Sequence, residues 1–174
     1  MIMARQHMCY MKIRHIILVM CFTIVGITEG LTSGETDVVA IHNKVYEEGT
    51  DGGKLIANAL GVAKRDQKRV LIMFGANSCV PCLSLHKLIE SDQEISSFLK
   101  SNYVVVMVDV SLKSTNSCLW QYNDGIAVFP LLTILDSSGK HLTTQNAVVF
   151  MKGEHHSPKL VLAFLQDWAL KPKN

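Results

Sequence analysis

Two cysteines separated by two residues, Cys79-Val80-Pro81-Cys82, are the part of this sequence best suited to chemistry. A thiolate attacks disulfides and binds metals, whereas a thiol does so poorly, so the charge around each sulfur decides what the pair can do. The pair follows an apolar β-type run, Val70-Leu71-Ile72-Met73-Phe74, and a short turn, which places it at the expected first turn of a helix. Unsatisfied N–H groups and the positive end of the helix dipole favour a thiolate there. Cys79, at or just outside the first helical position, feels this most, while Cys82 follows almost one turn later and points toward the protein body. Cys79 is therefore the expected attacking sulfur. Cys82 is the resolving one, which closes an internal disulfide and releases the mixed-disulfide partner. Pro81 fits the first turn, where its missing N–H costs nothing, and it stiffens the loop between the sulfurs.

Zinc sites use the same spacing, but a structural zinc takes four ligands, and the sequence has no second CxxC and no HxxxH. His86, four residues after Cys82, would complete a three-ligand patch with the pair, which keeps a metallochaperone among the alternatives. The adjacent His155-His156 diverge as neighbours in a chain and read as a solvated loop. Pro130 follows Val128-Phe129 and heads the apolar run Leu131-Leu132-Thr133-Ile134-Leu135. On its own it is either a trans proline at a strand's first residue or a cis peptide presenting the backbone of Phe129 beside the sulfurs to an extended segment. Cys118 has three readings: a buried bystander, a third exchange thiol, or a site of pairing with another chain.

The elements that must hold these residues alternate between strand and helix. Leu55, Ile56, Ala59, Leu60 and Ala63 recur at helical spacing after the breaker Gly49-Thr50-Asp51-Gly52-Gly53, and the charged run Lys64 to Arg69 closes that helix. Leu83, Leu85, Leu88 and Ile89 suit a helix with one buried face behind the cysteines. Ser91-Asp92-Gln93-Glu94 has capping-box spacing ahead of Ile95, Phe98 and Leu99. The run Tyr103 to Val108 predicts a strand covered on both faces. A turn at Asp136-Ser137-Ser138-Gly139 is expected to lead to a second hairpin strand over Ala147 to Met151. Ser157-Pro158 caps a last helix whose Val161, Phe164, Leu165 and Trp168 form one apolar stripe. Such alternation implies an α/β sandwich with parallel crossovers.

The 174 residues, 48% apolar, suit one domain and a short extra segment. The net charge of +2 includes Arg5, Lys12 and Arg14, and the two signs balance from Leu31 onward. Without a basic stripe, nucleic acid is not the expected partner. Near the N-terminus Lys12, Arg14 and His15 precede the apolar run Ile16 to Ile27, which is shorter than the roughly 20 residues of a membrane span and has the layout of a secretory signal. Thr28 and Gly30 place cleavage after Gly30, or Met11 is the true start. The alternatives are an uncleaved anchor and a buried core helix. The expected division is a signal peptide over 1–30, a flexible or partly ordered extension over 31–50 and a domain over 51–174. Loss of Cys9 and Cys21 with the signal leaves Cys79, Cys82 and Cys118, too few for a disulfide-built scaffold.

From about Lys68 to Leu170 the chain resembles the thioredoxin family in its strand, CVPC at a helix start, long buried strand, proline-headed strand, hairpin and C-terminal helix. The resemblance implies a thioredoxin-like fold, a central mixed β-sheet with helices on both faces. It further implies a disulfide–dithiol active site at Cys79 and Cys82, a cis-proline at Pro130, and a substrate groove with Phe129, Val80, Pro81 and Ser78 beside it. The dipeptide Val80-Pro81 is similar to that of exported thioredoxin-like reductases, so a periplasmic location is expected. Two residues depart from the family: Ser78 stands where most members have Trp, and Met73 where many have a buried acid, leaving Cys82 without an obvious proton acceptor. The expected activity is thiol–disulfide exchange on protein substrates, in the reductase or exchange direction, because Val80 and Pro81 carry no positive charge to favour a strong oxidant. Expected partners are protein thiols or disulfides and a redox partner protein, with no cofactor, no metal, no stable membrane insertion, and a monomeric state. A binding or chaperone module that uses the Phe129-Pro130 groove without catalysis is the alternative.

Overall fold

Strand β1, Arg69–Gly75, is buried from Val70 to its end, and the alternation of its side chains organises two apolar layers. The computed structural model describes residues 44–111, 114, 121–122 and 128–171. Leu71 and Met73 enter one layer, and Val70, Ile72 and Phe74 enter the other. Around β1 the sheet runs β2-β1-β3-β4, with β2 at Tyr103–Asp109, β3 at Leu131–Leu135 and β4 at His141–Asn146. β2 is parallel to β1, whereas β3 is antiparallel to both β1 and β4, so the sheet is mixed.

Helix α1, Gly52–Asp66, covers one face with Ile56, Ala59 and Ala63. Three helices cover the other: α2 at Val80–Ser91, α3 at Gln93–Asn102 and α4 at Pro158–Asp167, through residues such as Leu85, Ile95, Val161 and Leu165. This is the thioredoxin-like α/β architecture that the sequence predicts. Arg69 is half-buried and donates from Nη1 to the carbonyl of Trp168, which packs against the core beside α4. The Tyr103 hydroxyl donates to the Leu165 carbonyl at 2.7 Å, tying β2 to α4.

Four local expectations are corrected. Gly52 and Gly53 belong to the first turn of α1, because Asp51 caps it by accepting from the Lys54 N–H at 3.2 Å. Likewise α2 runs through Ser91, and α3 is capped by Asp92, whose carboxylate accepts from the Ile95 N–H at 3.0 Å. β2, by contrast, is covered on both faces as expected, with Tyr103 and Met107 in one layer and Val106 and Val108 in the other, although Val105 is 39% exposed. The partner of β3 is the polar strand His141–Asn146, not Ala147 to Met151. An edge strand tolerates Thr and Gln along its length, which hides it from an apolar-run reading. Ala147–Phe150 instead forms a short 3-10 helix whose first N–H donates to the Pro130 carbonyl at 2.9 Å.

His155-His156 is the fourth correction. It forms strand β6, paired with β5 at Met151–Lys152, and His156 is buried, with neither ring nitrogen partnered among the described residues. Burial holds the His156 pKa below its ordinary value of 6.5. The folded state therefore binds this proton less readily than the unfolded chain, so stability from this group is full above the unfolded pKa and is lost as pH falls below it. His156→Leu is expected to flatten the fall in urea midpoint between about pH 7 and 5. A pH slope identical to wild type would show that the ring titrates as in the unfolded chain.

No helix among the described residues is long and apolar enough to cross a membrane. The expected signal segment, Cys9, Cys21 and Cys118 lie outside the described residues.

Candidate active site

β1 ends at Gly75, and the chain turns through Ala76-Asn77-Ser78, with the Cys79 N–H donating to the Ala76 carbonyl at 3.0 Å. Cys79 is the N-cap of α2: its backbone is extended, its carbonyl accepts from the Leu83 N–H at 3.1 Å, and its Sγ accepts from the Cys82 N–H at 3.3 Å. The sulfur thus occupies the place that a Ser or Asp oxygen takes in an ordinary cap, against an amide with no helical partner of its own. Pro81 lies in the first turn, where it removes a donor that the helix does not use.

Cys79 and Cys82 are joined by a disulfide across 5.2 Å between their Cα atoms. Cys79 is half-buried, whereas Cys82 is wholly buried. A thiolate arriving from solvent therefore meets the first sulfur and not the second. Ser78 is exposed, Pro81 is half-buried, and Val80 is 75% exposed, so an apolar side chain lies open beside the accessible sulfur.

The second part of the site comes from the neighbouring strand. Phe74 pairs with Leu131, and this register brings Pro130, the residue before β3, to the end of β1 from which the cysteine turn departs. The Phe129–Pro130 peptide bond is cis. Pro130 is buried, Phe129 half-buried and Val128 exposed. The fold thus gathers Ser78, Cys79, Val80, Pro81, Cys82, Phe129 and Pro130 at one end of the sheet. His86 stands further along α2, with Nδ1 3.4 Å from the Glu90 carboxylate. Among the described residues, no three His, Cys, Asp or Glu side chains converge as metal ligands would.

Three residues missing from the sequence reading lie close behind the disulfide. Tyr46 is completely buried. Asn77 holds its backbone at both ends: the Tyr46 N–H donates to Asn77 Oδ1 at 3.0 Å, and Asn77 Nδ2 donates to the Tyr46 carbonyl at 2.7 Å. A Cβ on Gly75 would lie 2.4 Å from the Tyr46 hydroxyl oxygen and 2.9 Å from Cys82 Sγ, so only glycine admits both groups here. Asp109 is the third. Met73 is packed in the apolar layer, but Asp109, opposite Gly75 in the β1–β2 register, brings a buried carboxylate to the same sheet end from another strand. Its oxygens accept from the Ser111 hydroxyl at 2.8 Å and the Ser111 N–H at 3.1 Å. Burial first, and the Asp109 charge second, push the Tyr46 phenol pKa well above its ordinary value, so the hydroxyl keeps its proton.

Residues 56–159 match a family model described as a thioredoxin-like domain. No curated protein matches the chain. Among solved structures, a disulphide isomerase from Xylella fastidiosa Temecula1 is similar, with 28% identity and a TM-score of 0.63 over 72% of this chain and 97% of that one. A redox protein from Chlamydomonas reinhardtii shares the fold at 19% identity and a TM-score of 0.50, over 70% of this chain and 34% of that one.

Proposed function

We propose, from the premise that this chain belongs to the thioredoxin-like domain family, that Cys79 and Cys82 exchange disulfides with protein substrates. The observation that carries this reading is the unequal exposure of two bonded sulfurs, one open at a helix cap and one sealed behind it. In the reductive direction the Cys79 thiolate attacks a substrate disulfide, forming a mixed disulfide and expelling one substrate thiolate. Cys82 then loses its proton and attacks Cys79 Sγ. The internal disulfide forms, the second substrate thiolate leaves, and two electrons have passed from the pair to the substrate. A redox partner protein restores the dithiol by the reverse sequence.

Exposed Val80 and Ser78, with Pro81, Phe129 and the backbone before Pro130, form the surface proposed to receive an extended substrate segment. The similarity to a protein named as a disulphide isomerase supports exchange. The uncharged Val80-Pro81 favours the reductase or exchange direction over strong oxidation. The charged flank and short apolar run near the N-terminus support an exported, periplasmic protein with 1–30 as a removed signal, 31–50 as an extension and 51–174 as the domain.

The test is Cys82→Ala, which removes the resolving sulfur. Expressed in the native host, this variant is expected to accumulate mixed disulfides that dissolve on reduction and are absent when Cys79→Ser is added. An empty trap overturns exchange with protein substrates.

A further inference from the structure

The Tyr46 hydroxyl is fully buried, and it has no hydrogen-bond partner among the described residues. A buried hydroxyl left without a partner is costly, and so rare an exception in a native protein calls for an explanation, such as a redox role. Here the neighbour across the gap at Gly75 is Cys82 Sγ, with the hydroxyl oxygen 2.4 Å and the sulfur 2.9 Å from where a Cβ of residue 75 would stand. In the disulfide that sulfur is a poor acceptor. Reduction turns it into a thiol or thiolate, and a thiolate accepts strongly. Asn77 clamps the Tyr46 backbone from within the turn that leads to Cys79, so ring and sulfurs are positioned by one segment.

We propose that Tyr46 donates a hydrogen bond to Cys82 Sγ in the dithiol form, stabilising the reduced pair and the resolving thiolate. The phenol is suited to donate and not to act as a base, since burial and the Asp109 charge hold its proton in place. Tyr46 thereby stabilises the anion that a proton acceptor at position 73 would otherwise help to form. Treating the dithiol as a working state rests on the exchange role proposed above.

The test is equilibration of the purified protein with glutathione. Two glutathione thiols deliver two electrons and two protons, the Cys79–Cys82 bond breaks to two thiols, and one glutathione disulfide forms. Tyr46→Phe keeps the ring and removes the donor, and is expected to lower the equilibrium constant for reduction about tenfold, or about 30 mV. Placing 3-fluorotyrosine at position 46 makes the phenol a stronger donor and is expected to raise the constant, an arm that also serves if the Phe variant does not fold. Thermal unfolding adds a readout that a packing role would not produce: Tyr46→Phe should lower the midpoint of the reduced protein while sparing or raising that of the oxidised one. A constant unmoved by either substitution, or equal midpoint losses in both redox states, overturns the Tyr46 role. A Tyr46-dependent constant alongside an empty Cys82→Ala trap would overturn protein exchange and leave the hydrogen bond standing.

Discussion

Under the proposed exchange role, Cys79→Ser is expected to reduce catalysis of insulin reduction by dithiothreitol to the uncatalysed background, a loss of at least about 10³-fold. The substitution is well matched to its site. Serine is a good N-cap residue, and its oxygen can take over the bond that Sγ accepts from the Cys82 N–H, so α2 keeps its start. What disappears is the only one of the two sulfurs that solvent reaches. Cys82 remains a thiol, but it is sealed behind the helix and the Tyr46 ring and has no path to an external disulfide. The variant should therefore fold with an unchanged far-UV spectrum and show no turnover. Activity above about a tenth of wild type would mean that Cys82 or another thiol carries the exchange, and the division of roles between the sulfurs would fall.

The parts of this site visible in the sequence are those whose signals are contiguous. A β-branched and apolar run, a cysteine pair with proline between, and a proline at the head of another apolar run each read locally, and they deliver Cys79, Cys82 and Pro130 to one sheet end. Other features depend on partners far along the chain. Tyr46 is a single aromatic in a segment with no helical or strand period, and its hydrogen-bond partner Asn77 is 31 residues away. Asp109 reads as the end of a strand until the register sets it opposite Gly75. Strand β4 lies at the edge of the sheet among the described residues, and its half-buried Thr and Gln positions leave no apolar run to mark it as a strand. His156 reads as solvated in the sequence because a two-residue strand leaves almost no periodic trace.

Phe74→Ala is expected to cost about 3–5 kcal/mol of folding stability, the range for deleting a buried aromatic ring from a close-packed core. Phe74 is fully buried in the layer beneath α1, lies between Val108 and Leu131 in the sheet, and has the Tyr122 ring 6.5 Å away. The strands on both sides are pinned by backbone ladders, so the site can relax only in part and a cavity remains. Val105→Ala on β2 removes two methyl groups from a position already 39% open and should cost less than about 1 kcal/mol. Urea unfolding separates the cases. With a slope of about 1–3 kcal/mol/M, the Phe74 midpoint falls by about 2 M at an unchanged slope, while the Val105 midpoint moves by a fraction of that. Against native stabilities of about 5–15 kcal/mol, such a loss brings the domain near the edge of folding without necessarily crossing it. Equal shifts for the two variants would mean that the α1 layer collapses around the missing ring. The sheet end that carries both the cysteine turn and Pro130 would then be less rigidly held than its packing implies.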